Sequence, residues 1–256
     1  MITLCQPLTI HVRWVWLFFL AVATLSITSC VYLRLLEFKN QLAKFDQNFS
    51  VEAKDDFKLL CKNPVLYRQD FEYLAKLKPS RTEILSKSKQ SIYTFEKIDN
   101  EGKIIEPLVK LQITLTFNEE DLLTGIIYSP IFLTMVPANF LEASLRSLGS
   151  STVNRSKRQI RANLIKVEKL SDIPTKKEIE AVLGPPIEII PRADIERLLY
   201  RFKLETTKIE EGYEERQFTQ VKLDFDPNTQ KLLRMSGRFV GLKLAVDYRK
   251  FKDKNE

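Results

Sequence analysis

The chain has 256 residues, of which 44% are hydrophobic, and it contains 7 glycines and 11 prolines. This composition is typical of packed domains and excludes a disordered or collagen-like chain. The 40 Lys and Arg against 33 Asp and Glu give a formal net charge of +7. Both signs are spread along the chain, which therefore lacks the concentrated excess that is typical of nucleic-acid binding.

The first predicted element is an apolar N-terminal segment. Residues Trp14 to Leu33 carry no charge, and Arg13 and Arg34 flank them. A run of about 20 residues, each rising about 1.5 Å, crosses a hydrocarbon core of roughly 30 Å. The sequence therefore predicts a transmembrane or signal helix that attaches the protein to a membrane.

Within this segment, small residues come directly before Cys30 in a pattern that resembles the lipobox of bacterial lipoproteins. In this interpretation Cys30 becomes the lipidated first residue of the mature protein. In the alternative, Cys30 is a small apolar residue in an uncleaved anchor helix. The count of flanking positive charges favours a cytoplasmic C-terminal part, whereas a cleaved signal peptide would export it. We expect a periplasmic soluble part and keep both forms of attachment open.

A stalk helix is expected next. Apolar residues recur at helical spacing after the apolar segment, at Leu35, Leu36, Phe38, Leu42 and Phe45. Such a stripe indicates an amphipathic helix, which packs on the domain that it supports or lies on the membrane surface. Residues 1–46 are thus predicted to form the membrane anchor or signal segment with its stalk.

The soluble part contains a weak internal repeat of residues 64–140 by residues 172–248. Each copy begins with a helix, Arg68–Leu77 or Thr175–Leu183, that ends at Pro or Gly. Strands with alternating large residues follow at nearly equal spacing, marked by Tyr93 and Tyr200 and then by Phe117 and Phe225. We therefore predict an α+β fold with two tandem units, each a helix and an antiparallel sheet of about three strands.

The domain boundaries follow from this repeat. The first unit covers residues 47–149 and closes with an amphipathic helix, Pro137–Leu148. A polar, basic connector covers residues 150–171, and the second unit covers residues 172–256.

Residues Pro174–Gly237 resemble the SmpA/OmlA family of small envelope lipoproteins, accessory members of the outer-membrane β-barrel assembly machinery. The resemblance extends to the β-lactamase inhibitor proteins, which present a concave sheet made of two such units. The residues that carry it are Leu183, Gly184, Pro185, Tyr200, Phe225 and Asp226. The first copy departs from the pattern, with Lys78 where the second has Gly184. The resemblance implies a non-catalytic, protein-binding role in the bacterial envelope.

The residues that usually carry catalysis are sparse. The single histidine is His11, and Cys61 is the one cysteine beyond the apolar segment, so it has no histidine to activate it. The loop from Asp224 to Asn228 begins like a calcium loop, but Thr229 stands where that loop requires glycine. We expect no enzyme activity, no metal and no cofactor.

A basic cluster in the connector is the candidate binding site, and its residues are Arg155, Lys157, Arg158 and Arg161. Next to a membrane, such cations could meet anionic head groups. The predicted function is a membrane-tethered envelope protein that acts as a protein-binding or assembly module. The alternatives are an anionic-lipid or cell-wall binding module, and an inhibitor or chaperone of a periplasmic protein. No nucleic acid or small-molecule substrate is expected.

Overall fold

The computed structural model of the chain describes residues 31–150, 152–154, 159–161, 165–167, 172–206, 209–240 and 242–253. The α-helices are α1 (residues 31–43), α2 (Phe45–Asn48), α3 (Arg68–Ala75), α4 (Pro130–Met135), α5 (Ala138–Ser150) and α6 (Lys176–Leu183). The strands are β1 (Phe49–Ala53), β2 (Phe57–Cys61), β3 (Arg81–Leu85), β4 (Ser88–Ile98), β5 (Lys110–Phe117), β6 (Leu123–Tyr128), β7 (Thr152–Asn154), β8 (Gln159–Arg161), β9 (Ile165–Val167), β10 (Glu188–Pro191), β11 (Glu196–Leu204), β12 (Phe218–Phe225), β13 (Leu232–Phe239), β14 (Leu242–Asp247) and β15 (Phe251–Asp253).

One antiparallel sheet of 11 strands dominates the fold. Its path runs β1-β2-β6-β5-β4-β11-β12-β13-β14, while β3 pairs with β4 and β10 pairs with β11. The predicted architecture of two separate helix-plus-three-strand units is wrong, because β4 and β11 pair along Phe95–Ile98 and Arg201–Leu204. This pairing joins all 11 strands. Alternation along a strand shows which side chains share a face, but not which strand lies beside it.

The sheet curls around Phe132 of α4. The ring of Phe132 contacts Tyr128 of β6 at 4.9 Å and Phe239 of β13 at 5.6 Å between centroids. Those two strands are separated by five strand spacings, which would be about 24 Å in a flat sheet. One ring can contact both only if the sheet bends toward the helices. The concave face is therefore filled by the core, and the opposite face is convex.

Two halves of the sheet repeat the same local structure, the first from α3 to β6 and the second from α6 to β13. Tyr93 pairs with Ile113 of β5 as Tyr200 pairs with Val221 of β12. Leu123 and Leu232 each lie opposite the last residue of the neighbouring strand, and in both halves a register shift directly follows them. Because β4 and β11 are equivalent strands and pair antiparallel, an approximate twofold axis relates the halves.

Helix α1 packs on the domain. Leu42 is buried in the common core, and Arg34 reaches Asp70 of α3, with Nε 2.8 Å from its Oδ2. Asp70 also accepts a hydrogen bond from the backbone N–H of Tyr67, so it caps the start of α3. One carboxylate that is only 1% exposed therefore joins the two helices.

The prediction of a transmembrane helix, and with it of membrane attachment through such a helix, is corrected. Within the part of the chain that the structure describes, none of the helices has the length and apolar character needed to cross a membrane. Residues 14–30 of the predicted span, including Cys30, lie outside the described residues.

Candidate functional site: the basic face of the sheet

The two faces of the sheet differ in chemistry. Side chains that point toward the helices are apolar and fully buried in the central strands, for example Phe95, Phe202 and Val221. Their neighbours in sequence point to the convex face, because successive residues of a strand alternate. On β11, β12 and β13 that face carries six cations. Arg197 is ion-paired with Asp224, and we call the other five the basic sheet face: Arg201, Lys203, Lys222, Arg234 and Arg238.

Cross-strand register brings these cations together. Arg201 lies opposite Gln220, and Lys222 lies opposite Leu199 on one side and Ser236 on the other. Neighbouring strands are about 4.8 Å apart and same-face residues of one strand are about 7 Å apart. All five cations therefore fit within an area about 10 Å wide and 20 Å long, and the nearest of them are diagonal neighbours on adjacent strands.

The carboxylates near this face already form ion pairs with other cations, and one of them, Glu96, lies opposite Lys203 but is paired with Lys110. Arg197 donates to both oxygens of Asp224, with N–O distances of 2.6 and 2.9 Å. Arg249 donates in the same way to Asp247, at 2.8 and 2.7 Å. Arg234 lies opposite both carboxylates in register, yet it forms no ion pair with either. Within the described residues, none of the five cations of the basic sheet face has an anionic partner.

The two arginine–carboxylate pairs also shift the pKa values of Arg197 and Asp247. The hydrogen bond from Arg197 to Asp224 raises the pKa of that arginine. Burial acts to raise the pKa of Asp247, but hydrogen bonds and the charge of Arg249 outweigh it and lower the value. Arg197 and Asp247 are therefore both charged at neutral pH.

The first half shows that the fold does not require these cations. Superposing the halves on their shared landmarks pairs the five cations, in order, with Thr94, Glu96, Thr114, Gly125 and Ser129. The same backbone geometry is thus built with neutral or acidic residues in the first half. The five cations, whose equivalents in the first half are neutral or acidic residues, are the strongest indication of a functional surface on this molecule.

An open cleft borders the basic sheet face at the seam between the halves. It has a volume of about 660 Å³ and is lined by residues of both halves, among them Lys78, Glu96, Lys103, Lys203 and Glu205. Glu96 is ion-paired with Lys110, at 2.8 Å. Positive and negative side chains are mixed in this cleft, and it provides no arrangement of a nucleophile with an activating base.

Below the seam, a buried lysine holds the end of helix α6. Lys97 is 2% exposed, and its Nζ donates to the carbonyl oxygens of Leu183 and Pro185, both at 2.6 Å. The hydroxyl of Tyr200 donates to the oxygen of Gly184, at 3.0 Å. Burial lowers the pKa of Lys97.

This arrangement gives a structural reason for the Leu-Gly-Pro sequence after α6. Gly184 has a φ of 68° and ends the helix, and a Cβ at this position would lie 3.4 Å from the Lys97 Nζ. The residues that resemble the SmpA/OmlA pattern are thus part of the fold of the second half. Asp226 likewise accepts hydrogen bonds from the N–H groups of Asn228 and Thr229 in the β12–β13 turn.

Most of the site residues expected from the sequence lie outside the described part of the chain. Cys30, Arg155, Lys157 and Arg158 lie outside the described residues, and Arg161 ends β8 without a described side chain.

Cys61 is described, and burial raises the pKa of its thiol to about 12, which does not suit a nucleophile. No group of His, Cys, Asp or Glu in the described parts of the chain could hold a metal ion.

The basic sheet face escaped the sequence analysis because its cations are distant along the chain. A signal was present in the alternation of Arg197, Leu199, Arg201 and Lys203 with apolar residues, which indicates a strand with one charged face. This alternation does not show that β11, β12 and β13 are neighbouring strands, or that their cations lie on the same face of the sheet.

Comparison with known proteins adds no assignment. No family model, no curated protein and no solved structure matches the chain.

Proposed function

We propose that this protein is a non-catalytic binding module that docks another protein on the basic sheet face. The observation that supports the proposal is the set of five cations on the convex side of the second half, which the equivalent strands of the first half fold without. No two of these cations lie directly opposite each other, but Lys222 is a diagonal neighbour of Arg201 and Arg234, where like charges still repel. A bound anionic surface would remove that repulsion.

The geometry of the sheet supports a rigid docking surface. Every residue of β11 that points inward between Leu198 and Leu204 is at most 1% exposed, so the strand has little freedom to shift. Gln220 and Arg238 on the outer side are exposed. Because the concave side is filled by Phe132 and the core, an inhibitor that grips its target through a concave sheet does not suit this fold.

Site-specific cross-linking tests the proposal. A photoreactive residue replaces Gln220 on the basic sheet face, and in a separate variant it replaces Gln112, its equivalent on the first half. After irradiation of cells that produce the protein, we expect a discrete protein adduct at position 220 and none at position 112. The adduct should disappear in Arg201→Thr/Lys222→Thr/Arg238→Ser, which introduces the residues of the first half.

Equal adducts at the two positions, or an adduct at 220 that survives the triple substitution, would contradict the proposal. The envelope location expected from the sequence stays a prediction, since the described residues carry no evidence for it.

A further inference from the structure

We infer that the partner presents an acidic, extended polypeptide segment to the basic sheet face. The inference rests on the proposed function and specifies the chemistry of the docked chain. Its first support is charge complementarity, because none of the five cations forms an ion pair with a described carboxylate, although Arg234 lies opposite Asp224 and Asp247 and Lys203 lies opposite Glu96. An anionic partner would complement the charge of this cluster.

The second support is the way this sheet already binds carboxylates. Asp224 and Asp247 are each held by two nitrogen atoms of one arginine on the rim of the face. Three arginines of the basic sheet face present the same planar group without a carboxylate. Arginine binds carboxylates with two parallel hydrogen bonds, so these side chains suit Glu or Asp residues of a partner.

The third support is spacing. Arg201 and Lys203 are two residues apart on β11, which places their side chains about 7 Å apart on one face. Alternate side chains of an extended partner chain have the same period. Gln220 and Ser236 lie among the cations and can bond to the partner's backbone.

Nucleic acid and membrane fit this surface less well. Single strands bind by stacking bases on exposed aromatic rings. The one aromatic residue on the outer side of β11, β12 and β13 is Phe218, and the Arg201 guanidinium already covers it at 5.2 Å. A flat bilayer would touch a convex sheet only along its crest, whereas a peptide can follow the curve.

Binding of a labelled oligoglutamate peptide of about ten residues tests the inference with the full-length protein. Fluorescence anisotropy at low salt is expected to show binding that weakens as salt is added. In Arg201→Thr/Lys222→Thr/Arg238→Ser, affinity should fall about tenfold or more, from three ion pairs of roughly half a kcal/mol each. The control Lys54→Thr/Lys87→Ser/Lys177→Gln removes the same charge from three exposed lysines elsewhere and should bind as the wild type does.

The outcomes separate the inference from the proposed function. Equal affinity of the wild type and the triple variant for oligoglutamate overturns the inference. Tighter binding to an oligothymidylate or to phosphatidylglycerol vesicles, through the same three residues, also overturns it. The cross-link at position 220 reports protein docking of any chemistry, so a positive cross-link without oligoglutamate binding overturns the acidic-segment inference alone.

Discussion

Replacement of Lys97 by methionine tests how helix α6 is attached to the sheet. Lys97 donates two hydrogen bonds of 2.6 Å to backbone oxygens, one from Leu183, the last residue of the helix, and one from Pro185 just beyond it. The Leu183 carbonyl is in a fully buried residue, whereas Pro185 is exposed and water can replace its bond. Loss of a charge-assisted bond to a buried group costs about 1.5–3 kcal/mol, and relief of the buried ammonium offsets part of this.

We therefore expect Lys97→Met to lower the free energy of unfolding by about 2 kcal/mol. For a chain of this size, that corresponds to a fall in Tm of about 4–8 °C. Urea unfolding followed by far-UV circular dichroism measures the free energy, and calorimetry measures Tm. The control is Lys203→Met, an exposed lysine on the other face of the same seam, which should change stability by less than about 0.5 kcal/mol.

The pH dependence of this variant has a definite sign. Burial lowers the pKa of Lys97 from 10.5, so the unfolded chain binds more protons than the folded chain between the lowered value and 10.5. Wild-type stability should therefore rise relative to Lys97→Met as pH increases through that window. A methionine variant that is as stable as the wild type would show that desolvation of the ammonium cancels its hydrogen bonds, and would refute the reasoning.

Three further predictions concern other parts of the fold. Asp70→Asn removes the buried charge that pairs with Arg34 and should cost about 2–3 kcal/mol, measured by urea unfolding. An effect no larger than that of Arg34→Met combined with Asp70→Asn would argue against the pairing. Cys61, with its thiol pKa raised to about 12, should react with iodoacetamide at pH 8 far more slowly in the folded than in the urea-unfolded protein, and equal rates would contradict its burial. Gly125→Ala places a Cβ 2.7 Å from Oγ1 of Thr116, so Tm should fall. Adding Thr116→Ala to the same chain should restore much of the lost Tm, and no recovery would show that the strain lies elsewhere.

The elements of the sheet were largely predictable, because their signals are local. Tyr93 and Tyr200 alternate with polar residues, and Phe117 and Phe225 each precede a polar turn. These patterns identify strands and their buried sides. Strands β1, β3, β10 and β14 were missed. The connection from β3 to β4, for example, is made by Ser86 and Lys87, which lack the glycine or asparagine that marks most tight hairpins.

The assembly of these elements was not predictable from the same patterns. The pairing of Ile98 with Arg201 depends on which edge strand of the first half pairs with which edge strand of the second. The alternation of polar and apolar residues along a strand does not encode that choice. Lys97 illustrates the same difficulty within one strand. Its equivalent in the second half is Leu204, a buried apolar residue, and only the carbonyls after α6 make a lysine acceptable there.

The candidate site was missed for a related reason. Sequence reading selected Arg155, Lys157, Arg158 and Arg161 because they are close along the chain. The cations of the basic sheet face span residues 201–238 and become neighbours only through cross-strand register. Contiguity in sequence is a poor guide to surface charge in an antiparallel sheet, where each strand supplies two or three positions to any patch.

The antiparallel seam between β4 and β11 has a consequence for stoichiometry. A symmetric dimer of identical units could form the same seam, and it would then carry its docking surface twice. Here Glu96 faces Lys203 across the twofold axis, and the two outer faces differ in charge. Covalent linkage allows one half to become cationic while the other stays neutral, so each chain should bind one partner in a single orientation.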